Sequence, residues 1–136
     1  MSTLHFELVS PERILHSGEV EAVLLPGVEG DMTVLPGHAP VLAALRSGFL
    51  VVSDGGAHGI RILVNGGVAD ISGAGVTVLA ERAIAAEDLT PESIEREILH
   101  AQMLKDAASD DAAKDLADTQ ISQLEEARET LKAGHP

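Results

Sequence analysis

Residues 26–40, Pro-Gly-Val-Glu-Gly-Asp-Met-Thr-Val-Leu-Pro-Gly-His-Ala-Pro, constrain the fold of this chain more than any other stretch. Three prolines and three glycines in so short a span exclude a helix and any long strand. Proline lacks a backbone donor, and glycine admits the positive φ angles that sharp turns need. The pairs Pro26-Gly27 and Pro36-Gly37 each place a preset φ before a permissive residue, which is tight-turn chemistry, and residues 32–35 between them are long enough for one short strand. The stretch reads as a structured corner inside a β domain.

Turn signals of the same kind recur on both sides of it. Leu4, Phe6 and Leu8 alternate with polar residues, the period of a strand with one buried face, which Ser10-Pro11-Glu12 ends. A turn at Ser17-Gly18 is expected next, leading to Val20, Ala22 and Leu24. Beyond the corner, residues 41–45 are short and apolar. Gly48, Asp54-Gly55-Gly56, Asn65-Gly66-Gly67 and Ser72-Gly73-Ala74-Gly75 then separate four β-branched runs, 49–53, 60–64, 68–71 and 76–80, which predicts a four-strand meander. Several of these runs are apolar on both faces, and two packed sheets bury that pattern best.

The composition changes near residue 86. Twelve of the 13 glycines stand at or before Gly75. Thr90-Pro91-Glu92 reads as a helix start, with a capping hydroxyl, a proline whose missing donor costs nothing there, and an acid against the positive end of the helix dipole. Ile94, Ile98 and Ala101 form the stripe of a first helix, flanked by Leu99 and Met103. Residues 107–110 interrupt it, and Ala113, Leu116, Ala117, Ile121, Leu124, Ala127 and Leu131 recur at helical spacing in a second. The fold class expected is β plus α: a flattened N-terminal β-sandwich of about eight to ten short strands over 1–86, then an antiparallel two-helix hairpin over 87–136. The alanine-rich hairpin buries little area, so it should be marginal alone and dock on the sandwich or on another chain.

Charge and residue types narrow the function. Up to residue 86 there are 4 basic and 9 acidic residues, and beyond it 5 and 13, net −5 and −8 of a total of −13. Such a surface repels phosphate backbones and anionic headgroups, so nucleic acid and direct membrane insertion are not expected. There is no cysteine, which removes disulfides and thiolate metal sites. No run of 18 apolar residues and no cationic leader stand in the chain, so it is expected to work where it is made and to reach a membrane only through protein partners.

Catalytic constellations are missing. No HExxH, Gly-Lys-Ser/Thr loop or Gly-x-Ser-x-Gly elbow occurs, and the glycine pairs read as hairpin turns. Asp31 and His38 are the one carboxylate–imidazole pair on a convoluted loop, and with no third ligand in view His38 reads as packing or hydrogen bonding within a turn or at an interface. Asp110, Asp111, Asp115 and Asp118 lack the spacing of a calcium loop and read as acidic first turns and a solvated helix face. No catalytic residue, metal or cofactor is assigned.

Glu29-Gly30-Asp31 followed by Leu35-Pro36-Gly37-His38-Ala39-Pro40, together with Phe-Glu-Leu-Val-Ser-Pro-Glu at 6–12 and Val-Thr-Val-Leu-Ala-Glu at 76–81, resembles the epsilon subunit family of the rotary, proton-translocating ATP synthases. The resemblance implies a non-catalytic central-stalk subunit that couples rotation of the c ring to the gamma shaft. It implies c-ring contacts at Glu29, Gly30, Asp31 and Met32, and gamma contacts at His38, Ala39 and Val41. Through the hairpin it implies regulatory contact with alpha and beta subunits, and it implies a peripheral place on the bacterial inner membrane.

Two traits of that family are expected to be weak in this chain. Some bacterial members bind ATP through Ile/Leu-Asp-x-x-Arg-Ala at the start of the first helix. The matching residues are Leu89-Thr90-Pro91-Glu92-Ser93-Ile94, so Thr90, Ser93 and Ile94 replace the Asp, Arg and Ala, and no ATP binding is expected. Inhibition in the family brings a basic C-terminal helix to an acidic segment of beta. Residues 111–136 here carry Lys114, Arg128 and Lys132 against six acids, net −3, so strong self-inhibition is not expected. The alternative is a free-standing β-sandwich that binds a ligand such as a sugar or peptide; that requires a concave aromatic site, and the chain has two phenylalanines and no Trp or Tyr.

Overall fold

The computed structural model describes residues 3–53 and 59–133. Eight strands come first: β1 Leu4–Val9, β2 Ile14–Val20, β3 Ala22–Gly27, β4 Gly30–Val34, β5 Val41–Leu45, β6 Gly48–Ser53, β7 Ile60–Ile71 and β8 Gly75–Ile84. They share one hydrogen-bonded sheet, ordered β2-β1-β8-β7-β5-β3-β4, with β6 pairing both β3 and β7. All pairs are antiparallel except β1 with β8. The sheet folds over into a sandwich whose inner core draws on every strand, with Phe6, Leu8, Leu25, Leu50 and Val78 fully buried. Each such side chain contributes about 1.5 to 3 kcal/mol by leaving water.

Two expected turns are strand instead. Ser17-Gly18 lies inside β2, and the reversal falls at residues 10–13, where Ser10 N donates to Arg13 O at 2.9 Å. Pro11 explains this: it cannot donate to a ladder, so the chain turns beside it. Asn65-Gly66-Gly67 lies inside the 12-residue β7, which replaces two of the four expected strands of the meander. The turn at 72–75 is as expected, with Ser72 N bonded to Gly75 O at 2.9 Å. Asp54-Gly55-Gly56 falls outside the described residues.

What Gly66 and Gly67 do is shift the phase of the strand. Val64 and Ala69 both point into the inner core although five residues apart, which an unbroken period of two forbids. Leu45 and Leu50 do the same across Arg46-Ser47, and Ala80 and Ala83 across Glu81-Arg82. The three breaks are neighbours in the sheet, so they form one line that divides its outer face in two.

The helices cover one half. α1 Pro91–Ala107 starts at the N-cap Thr90, and α2 Asp111–Lys132 starts at Asp110, whose carboxylate accepts from Ala113 N at 2.7 Å. They pack as an antiparallel hairpin tied by Lys105–Asp118 at 2.7 Å. A second core forms where Ile94, Ala101, Ile121 and Leu124 meet Leu63, with Phe49 and Ile84 packed against it. Phe49, Leu63 and Ile84 stand opposite one another in register across β6, β7 and β8, so the hairpin lies along a single apolar row. Leu99 and Met103, expected beside the stripe, are exposed at 61% and 62%.

Candidate functional site

The corner is a hairpin followed by a turn. β3 and β4 pair from Val23–Val34 down to Gly27–Gly30, leaving Val28 and Glu29 at the tip. Pro26 and Gly27 therefore end a strand and do not form the turn. Gly27 is needed for close approach: a Cβ there would stand 2.6 Å from Gly30 O. Gly30 takes φ 134°, a conformation that side chains disfavour. Leu35 to His38 is the second turn, closed by His38 N donating to Leu35 O at 3.2 Å, with Pro36 and Gly37 at its centre and Gly37 at φ 83°. That is the residue pattern of a type II turn.

The hairpin tip is fastened to the sheet. Val28 N donates to Ala44 O at 3.0 Å and Arg46 N to Pro26 O at 2.9 Å, while Arg46 Nη2 donates to Asp31 Oδ1 at 2.8 Å. Glu29, Gly30, Asp31 and Met32 line a groove of about 400 Å³ with Val41 and Leu42 of β5. His38 and Ala39 do not line it. His38 lies on the second turn, which is hydrogen-bonded to the β7–β8 turn through Gly37 N and Gly73 O at 3.3 Å. Its Nδ1 lies 2.7 Å from Ala39 O. Asp31 thus pairs with Arg46, and no group of three or more metal-ligating side chains occurs among the described residues.

Around this corner the surface is apolar. Val28, Leu35 and Leu42 are exposed at 59%, 55% and 70%. On the half of the outer sheet face that the helices leave open, Ala44, Val68, Leu79, Val9 and Ile14 stand opposite one another in register across β5, β7, β8, β1 and β2. Leu79 and Ile14 are exposed at 51% and 61%. This row was missed from the sequence because apolar residues on both faces of a strand were assigned wholly to two packed sheets. The local signal is the alternation that sets Leu79 on the face opposite Val78 and Ala80; that the helices leave this face open is not contained in it.

The join between sandwich and helices is polar at its centre. Glu97 of α1 receives Arg82 Nε and Nη2 at 2.7 and 3.0 Å and Asn65 Nδ2 at 3.3 Å. Ser47 donates its Oγ to Asn65 Oδ1 at 2.6 Å and its backbone N–H to Gln123 Oε1 of α2 at 2.9 Å. At the start of α1 the Thr90 and Ser93 hydroxyls cap one another's backbone, and Ile94 is buried. The hollow beside it sets Arg13 and Arg96 against Glu87, Asp88 and Glu97, which leaves no surplus positive charge for a triphosphate.

Residues 3–86 match the family described as ATP synthase, Delta/Epsilon chain, beta-sandwich domain. The ATP synthase epsilon chain of Parvibaculum lavamentivorans is 44% identical over 129 residues, 94% of this chain and 97% of that one. This chain belongs to the ATP synthase epsilon chain family. The epsilon chain of Maricaulis maris is 43% identical, over 90% of this chain and 91% of its own. The fold is shared with a chain in the cryo-EM structure of Euglena gracilis mitochondrial ATP synthase, OSCP/F1/c-ring, at a TM-score of 0.70 and 21% identity, covering 98% of this chain and 82% of that one. A chain of the Tetrahymena thermophila mitochondrial ATP synthase central stalk/c-ring has the same fold at a TM-score of 0.65 and 12% identity, covering 93% and 97%. No helix of this epsilon-family chain, among its described residues, is long and apolar enough to cross a membrane.

Proposed function

We propose that this chain is the non-catalytic central-stalk subunit of a bacterial, proton-translocating ATP synthase, and that it makes the c ring and the gamma shaft turn as one body. It would sit peripherally on the cytoplasmic side of the inner membrane. Residues 1–86 act as the gripping block and residues 87–136 as a hairpin held against it, within reach of gamma, alpha and beta.

The observation that carries this reading is a pair of adjoining exposed surfaces on one sandwich, the hairpin-tip groove and the apolar row, which meet along β5 where Val41 and Ala44 line the groove. The groove at Glu29, Gly30, Asp31 and Met32 offers carboxylates and backbone groups on a tip braced by Arg46, which suits the polar loops of a c ring. The turn holding His38 and Ala39, with Val41 and the apolar row through Leu79, offers an aliphatic face for gamma. A stable interface buries about 1,200 to 2,000 Å² in total, and a face spanning five strands can contribute to one of that size. Torque transmission requires stiffness and two footings more than it requires reactive groups.

Removing residues 29–32, or Asp31→Lys, is expected to weaken coupling of proton flow to ATP turnover in membranes containing the assembled enzyme. Full ATP-driven proton pumping by the deletion variant refutes the c-ring assignment. Leu79→Asp is expected to loosen the chain from gamma at least tenfold with little change in its own Tm; unchanged gamma affinity removes the row from the interface.

A further inference from the structure

We infer that Arg46 and Ser47 link the hairpin tip at Asp31 to the docking of the helices, so that a displacement at either end is felt at the other. Arg46 and Ser47 bridge β5 and β6, and β7 pairs with residues on both sides of them but not with them: Leu45 opposes Gly67 and Gly48 opposes Val64. Over these two residues β7 offers no ladder partner: the Arg46 N–H is held instead by Pro26 O at the base of the hairpin tip, at 2.9 Å, and Ser47 is held by side chains.

Those side chains come from opposite directions. Asp31 holds the Arg46 guanidinium at 2.8 Å from the tip side. From the helix side, Gln123 of α2 accepts the Ser47 N–H at 2.9 Å, and Asn65 ties Ser47 Oγ to Glu97 of α1. Gly48 completes the arrangement, since a Cβ there would come within 3.2 Å of an Arg46 guanidinium nitrogen and 3.5 Å of Pro26 Cβ. Two consecutive residues outside the ladder therefore carry the tip on one and both helices on the other. Moving Arg46 moves the Ser47 N–H relative to Gln123. Thermodynamic linkage requires the reverse effect to be equal.

The functional meaning, that load on the tip alters the grip on the hairpin, rests on the reading of the tip as the ring-facing surface. The linkage itself needs no partner. It is tested by native-state amide exchange on the full chain in Asp31→Asn, Gln123→Ala, the double variant and Gly48→Ala, with β1 amides as the internal reference for global opening.

Asp31→Asn is expected to raise exchange in α2 by roughly threefold or more relative to β1, and Gln123→Ala to raise exchange of the Val28 and Arg46 amides by a similar factor. In the double variant the combined effect should fall short of the product, and Gly48→Ala should loosen both ends. The linkage is overturned if either single variant leaves the distant amides within about twofold of wild type, if β1 and α2 accelerate alike, if the factors simply multiply, or if Gly48→Ala moves neither end. The proton-pumping assay decides the ring-facing role separately.

Discussion

Arg82 grips Glu97 with a fork of two hydrogen bonds, Nε to Oε1 at 2.7 Å and Nη2 to Oε2 at 3.0 Å, and so fastens β8 to α1. The Glu97 side chain is 12% exposed and the Arg82 side chain 47%, so water screens one partner much more than the other. Glu97→Gln keeps the shape and loses the charge. It is expected to cost about 1 to 2 kcal/mol, since a hydrogen bond to a charged group is worth more than a neutral one but exposure of Arg82 discounts it. Thermal unfolding should show a Tm lower by about 3 to 8 °C, with amide protection lost mainly in α1 and α2. An unchanged Tm with unchanged helix protection would remove the fork from the join.

The same carboxyl sets an acid limit. Burial pushes the Glu97 pKa up, but the hydrogen bonds from Arg82 and Asn65 and the charges of Arg82 and His100 outweigh it and hold the group below its ordinary 4.5. A carboxyl whose pKa is lowered on folding adds stability at pH values above the unfolded pKa, and that stability is lost as pH falls through the folded one. The difference in hairpin protection between wild type and Glu97→Gln should therefore be full at neutral pH and shrink below about pH 4.5. A difference that persists undiminished into strong acid would contradict the linkage.

Gly67 is expected to be irreplaceable. Its φ is 145°, and a Cβ on it would collide with the Leu79 carbonyl and reach Ala80 Cα at 3.0 Å. Gly67→Ala should lower stability by roughly 2 to 4 kcal/mol from backbone strain and collision together. Gly18 is a fair comparison, because a Cβ there meets nothing within 4 Å. Gly18→Ala should stay within about 0.5 kcal/mol of wild type. Urea unfolding of the two variants checks the contrast.

ATP should not bind at the start of α1. Ser93 Oγ donates to Thr90 O at 2.8 Å and accepts from Thr90 N at 2.9 Å, while Thr90 Oγ1 accepts from Ser93 N at 3.0 Å, so both hydroxyls are engaged in the cap. Calorimetry with Mg-ATP should give no micromolar binding; a micromolar Kd would overturn the expectation. Thr90→Ala should instead cost about 1 kcal/mol of stability as a lost cap.

The fold is legible in the sequence where its physical causes are local. Pro36-Gly37 makes the turn expected of it, though Pro26-Gly27 does not, and the Thr90-Pro91-Glu92 start and the break near Asp110 follow from capping chemistry within a few residues.

The tertiary structure decided what depends on distant neighbours. Whether Gly66-Gly67 makes a turn or a phase shift depends on Leu79 and on the matching breaks at Arg46-Ser47 and Glu81-Arg82, which lie on other strands. A glycine permits both outcomes, and only the partner strands choose. The pairing of Asp31 with Arg46, the fork on Glu97 and the open row through Leu79 likewise arise from residues brought together across the sheet. Local pattern tells which face of a strand is apolar; only the packed molecule tells whether helices cover that face or leave it free.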